Sequence, residues 1–137
     1  MISMMQGRTL PYNLNLIQSH SEIYYELEFI LLRELNVQYM EYIIGDNNSL
    51  SNFRNKDRLN LILKQTNIKI NSVILNIFLN KNIYCMDYEK YIYEIYKIAK
   101  ILNIRNIVIP LLEESSLKKI KTFKINKNLF KDIQILV

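Results

Sequence analysis

The chain has 137 residues, half of them hydrophobic and 23% charged, with a net charge of +5 and a single cysteine. That length suits one domain with a core of ordinary size, and one cysteine, Cys85, excludes an internal disulfide and a thiolate metal cage. No apolar run approaches the roughly 18 residues of a membrane span, and Ser3, Gln6 and Arg8 interrupt the start as a signal peptide would not, so a cytoplasmic protein is expected.

The basic balance does not by itself point to nucleic acid. Ile, Asn, Lys, Tyr and Phe dominate, the residues of A/T-rich codons, and the lysines are dispersed apart from Lys118, Lys119, Lys121 and Lys124. Tyr24 and Tyr25, and Tyr88, Tyr91, Tyr93 and Tyr96, stand at helical spacing, which reads as helix faces rather than base-stacking platforms.

In chain order, an apolar run near residues 2–6 predicts a first strand, closed by the polar group Gln6, Gly7 and Arg8. Ser19 with Glu22 has the spacing of a capping box, and Ile23, Leu27, Ile30, Leu31 and Leu35 form the apolar stripe of a first helix. A second strand is expected over 37–44, where alternation puts Val37, Tyr39 and Glu41 on one face. Leu59, Ile62 and Leu63 mark the next helix, and 68–75 the third strand. Asp87 is placed to cap a helix whose stripe is Ile92, Ile95, Ala99 and Leu102, and 104–111 is the fourth strand. Leu129, Ile133, Leu136 and Val137 fit a last helix, although "IQILV" alone reads as a strand.

The strand starts recur at Ile2, Val37, Ile68 and Ile104, 31 to 36 residues apart. The last three follow one junction: Leu35-Asn36-Val37, Thr66-Asn67-Ile68 and Leu102-Asn103-Ile104. Asparagine tolerates the left-handed backbone that ends many helices, so each reads as helix, Asn, strand. The fold class is therefore α/β: four βα units of a parallel sheet, in one domain over 1–137 without an internal boundary.

Four stretches also resemble a known family. "MISMMQGRTLPY", "ELNVQYMEYIIGDN", "TNIKINSVILNIFLN" and "LNIRNIVIPLLEESSL" are similar, in order and spacing, to the first four strands of xylose-isomerase-like TIM barrels, the sugar phosphate isomerase/epimerase superfamily. The resemblance reaches to about residue 117. It implies the N-terminal half of a (βα)8 barrel, helices outside, with the ligand at the carboxyl ends of the strands. It further implies isomerisation or epimerisation of a sugar or sugar phosphate, in which a carboxylate moves a proton while a divalent metal, Mn or Mg, stabilises an ene-diolate.

In the family the metal is held by Glu, Asp, His and Glu on strands five to eight. This sequence has no counterpart of those strands, so it is expected to carry substrate-binding residues but no metal ligands and to be inactive alone. The residues the resemblance assigns to the pocket are Gln6, Arg8, Glu41, Asn76 and Glu113. Each has a plainer reading. Arg8 suits a phosphate or carboxylate but equally a pair with Glu41; Glu41 is more readily a structural pair than a catalytic base. Asn76 stands where the family often has an acid, and Glu113 is as readily a solvated loop residue. His20 reads as a capping or solvated residue and Cys85 as a small packed one.

A half-barrel leaves two sheet edges and one face open. It is expected to belong to a longer enzyme, to pair with a second copy or second half-barrel as a non-catalytic module, or to relax into a doubly wound sheet. Nucleic acid ranks last as a partner, although the wider superfamily includes apurinic-site endonucleases.

Overall fold

Among the described residues, three left-handed asparagines punctuate the chain. Asn36, Asn67 and Asn103 have φ of 55°, 57° and 56°, each at the junction where a helix gives way to a strand. At two of them the hydrogen bonds of a Schellman motif are complete: Asn36 and Val37 donate to the carbonyls of Arg33 and Leu32, and Asn103 and Ile104 to those of Lys100 and Ala99. Val37 and Leu32 are both buried, as are Ile104 and Ala99, so each stop is also an apolar clasp.

The computed structural model describes residues 2–9, 24–80, 87–112, 115–116, 130 and 132–137. Their elements are β1 (Ser3–Met5), α1 (Tyr25–Glu34), β2 (Tyr39–Ile43), α2 (Asn47–Arg54), α3 (Lys56–Thr66), β3 (Lys69–Ile74), α4 (Ile77–Asn80), α5 (Tyr88–Ile101), β4 (Asn106–Val108) and β5 (Gln134–Leu136). The strands form one all-parallel sheet in the order β1-β2-β3-β4-β5.

A sequential order without reversal has no topological switch point, so the sheet is not doubly wound. Crossovers of one hand then stack their helices on one face, and the core agrees. Met40, Tyr42, Ile44, Val73, Leu75, Ile107 and Ile109 join Phe29, Leu32, Leu59, Ile62, Ile92, Ile95 and Ala99 in one buried cluster. Ile43, only 2% exposed, stands outside that cluster because it points the other way. Bidentate ion pairs tie helix to helix outside the core: Arg58 of α3 to Glu26 of α1, and Arg54 of α2 to Glu94 of α5.

Several expectations are revised. The regular strands are shorter than 2–6, 37–44, 68–75 and 104–111: Val37 and Ile104 are spent on helix ends, while Ile44, Leu75 and Ile109 each add one more bond to the neighbouring strand. The last segment pairs as β5, Gln134 to Leu136 beside Asn106 to Val108, instead of forming a helix; the free edge of β4 decides what a short apolar run cannot. Helix α1 buries Tyr25, Glu28, Phe29 and Leu32, while Leu27, Ile30 and Leu35 of the expected stripe are 40%, 42% and 59% exposed. This helix has two apolar faces, and packing chose the other one. Val37 belongs to the core, apart from the half-buried Tyr39 and Glu41.

Helix α2 was not visible in the periodicity, since Leu50 and Phe53 are its only large apolar residues. Its start was legible in "DNNS": Asp46 accepts from the Ser49 amide at 2.8 Å while Ser49 Oγ accepts from the Asp46 amide at 3.0 Å. The Asp87 cap forms as expected, accepting from Lys90 N–H. Ser19, Glu22, His20 and Cys85 lie outside the described residues.

Candidate functional site

The ladder fixes what lies on the face away from the helices. Met5, Glu41, Ser72, Asn106 and Gln134 stand in register across all five strands. One step toward the carboxyl ends, Ile43, Ile74, Val108 and Leu136 form the next row. Strands of parallel sheets are usually apolar on both faces. Here four adjacent strands place a carboxylate, a hydroxyl and two amides in line, and Ser72 is only 6% exposed. Sequence reasoning found Glu41 and missed Ser72, Asn106 and Gln134; only pairing aligns residues so far apart in the chain.

At the end of β1 the polar group divides its labour. Gln6 is 3% exposed. Its N–H donates to the Glu41 carbonyl at 3.0 Å, and its Oε1 accepts from the Ile43 amide at 2.9 Å. A side chain thus extends the β1–β2 ladder by one bond beyond the backbone. Gly7 turns at φ 85°, where a side chain is disfavoured, and its amide donates to Glu28 Oε1 at 2.6 Å. Arg8 then closes the turn on the Met5 carbonyl and is exposed.

Gln6 therefore locks β1 to β2 through its amide oxygen, which is committed to Ile43. Arg8 remains the outward-facing group, and none of the ion pairs among the described residues includes it. The pair with Glu41 is not formed. Glu41 is half-buried on the face away from the helices, Asn76 is partly buried just past β3, and Glu113 lies outside the described residues. The bond from the Ile77 amide to the Ile44 carbonyl brings the ends of β2 and β3 together. Gln6 and Glu41 are thus adjacent, while Arg8 and Asn76 share the carboxyl end of the sheet without a bond joining them.

Behind the turn lies a buried polar cluster. Glu28 is fully buried on α1, and Tyr42 and Tyr25 lie close by. Burial, reinforced by Tyr25 and Glu28, pushes the Tyr42 hydroxyl well above the tyrosine range, and that hydroxyl has no hydrogen-bond partner among the described residues. The signal for Glu28 was its place among Tyr25, Phe29 and Leu32, where an acid has no reason to stand unless something donates to it. That donor is the Gly7 amide.

Glu41 is the one carboxylate in the polar row. Among the described residues no helix is long and apolar enough to cross a membrane. No protein-family model and no curated protein matches the chain.

Proposed function

We propose that the chain supplies one wall of the ligand pocket of a barrel-type sugar or sugar-phosphate isomerase or epimerase, and that it binds rather than transforms the ligand by itself. The observation that carries this reading is the polar row on the helix-free face, among the described residues, of a sequentially ordered parallel sheet. Carboxylate, hydroxyl and amide groups are the usual partners of sugar hydroxyls, and each is held in place by the ladder. Arg8 stands past the end of β1, where a forked, permanently charged head suits a phosphate. The resemblance of the four strand stretches supports the same ligand class. The resemblance places proton transfer and the metal ligands on strands beyond the fourth, so Glu41 is a hydroxyl-binding residue in this reading.

Titration of the ¹⁵N-labelled chain with ketose and aldose phosphates, followed by NMR, tests it. Saturable shifts at Arg8, Glu41, Ser72 and Asn106 are expected, with Arg8→Ala weakening the phosphates about tenfold and leaving the free sugars unchanged. Shifts that avoid the polar row, or turnover by the isolated chain with Mn²⁺ or Mg²⁺, would show the reading to be wrong. Edge-to-edge assembly has less support, since β1 and β5 are three-residue strands, and very short edges resist pairing.

A further inference from the structure

A separate feature lies at the opposite end of the sheet. A cavity of about 640 Å³ opens where β2 and β3 begin and where the chain enters β4 and β5. Its volume is in the range of small-molecule sites. Ile70 and Ile104, both buried, give it an apolar lining, and Lys69, Lys100 and Arg105 bring three cations to it against one acid, Asp132. Lys100 is committed to Asp132 at 2.5 Å. Lys69 and Arg105 take part in none of the ion pairs among the described residues.

A second observation falls on the same wall. Between Met40 and Glu41 the β2–β3 register slips, from Met40 beside Ile70 to Glu41 beside Ser72, so Asn71 is an extra residue in β3. Bulges are rare between parallel strands, and they re-aim side chains at functional places. This one is stabilised by Asn106, whose Nδ2 donates to the Asn71 carbonyl at 3.4 Å, and Asn71 lines the cavity.

We infer that this cavity binds a small organic phosphate, its apolar body against the isoleucines and its phosphate between Lys69 and Arg105. The Arg105 fork supplies paired donors and Lys69 a mobile point charge. A nucleic-acid backbone is the less fitting occupant, because the cations surround a cavity instead of following a stripe. The site adjoins the proposed sugar wall without sharing its lining: Asn71, Arg105 and Ile133 line the cavity one residue before Ser72, Asn106 and Gln134 of the polar row, and Arg8 stands at the carboxyl end.

Phenyl phosphate, inorganic phosphate and phenol are the probes, titrated into the ¹⁵N-labelled chain at constant ionic strength. Phenyl phosphate should shift residues 69–71 and 103–105 saturably at millimolar concentration, leave Arg8 unmoved, and bind more tightly than inorganic phosphate, with phenol alone ineffective. Arg105→Ala and Lys69→Ala should each weaken it about tenfold, and Lys97→Ala, a basic change outside the lining, should not. Because Lys69 and Arg105 are exposed, these variants should keep the native spectrum. Equal shifts with chloride, indifference to both variants, or steeply salt-dependent binding of a single-stranded oligonucleotide that phenyl phosphate fails to displace would each overturn the assignment.

Discussion

Gln6, Gly7 and Arg8 show how adjacent residues divide into buried, bonded groups and an exposed one. Gln6 is polar yet as buried as the core around it, since its Oε1 accepts the Ile43 amide. Gly7 is needed twice, for its left-handed backbone and for the amide that meets Glu28. Gln6→Leu leaves a buried N–H unpaired and is expected to cost about 1–3 kcal/mol. Gly7→Ala is expected to cost about 1–2 kcal/mol in the left-handed region. Urea unfolding checks both: the midpoint should fall at unchanged slope, and Arg8→Ala, which alters neither bond, should leave it in place. That Gln6 and Gly7 mattered was legible in the sequence. Their partners were not, because Ile43 lies 37 positions and Glu28 lies 21 positions further along the chain.

The helix stops are local devices, and they were read correctly for that reason. An asparagine in the left-handed region ends a helix through its own backbone and two carbonyls already nearby. Asn67→Ala and Asn103→Ala should each lose about 1 kcal/mol in urea unfolding, whereas Asn→Gly at either position should be neutral or slightly stabilising, as glycine carries no Cβ penalty there. Equal losses with Ala and Gly would mean the asparagine side chains, not the backbone, carry the effect. Helices α3 and α5 bury their expected stripes, with Leu59, Ile62, Ile92, Ile95 and Ala99 inside. Helix α1 does not, because Leu27, Ile30 and Leu35 compete with Tyr25, Phe29 and Leu32 for the sheet, and a helix with two apolar faces does not record which one wins.

Across the whole molecule, exposed ion pairs join helices whose packing on the sheet is otherwise apolar. The hydrogen bonds from Arg58 and Arg54 hold Glu26 and Glu94 below the usual carboxylate range. A carboxylate whose folded pKa is depressed stabilises the fold above its unfolded pKa, and that contribution fades as pH falls through the lowered value. Stability should therefore decline as pH drops below about 4.5, the ordinary glutamate value. Urea unfolding between neutral pH and pH 3 measures it. Arg54→Ala should flatten the curve slightly, the exposed Arg54–Glu94 pair being worth at most about 1 kcal/mol after screening; an unchanged curve would mean that other carboxylates govern acid sensitivity.

The sequence by itself determined the alternation of strand and helix, the three asparagine stops, the parallel sheet and the position of the polar turn after β1. Each is encoded within a few residues by periodicity or backbone preference. Tertiary structure alone decided that α1 turns Phe29 inward, that residues 134–136 become a strand, and that Gln6 locks strands while Arg8 faces out. It also aligned Glu41, Ser72, Asn106 and Gln134 across the face away from the helices and gathered Lys69 and Arg105 around one cavity. Those outcomes depend on which strand edge is free and which register the core imposes, quantities that exist only once distant segments have met.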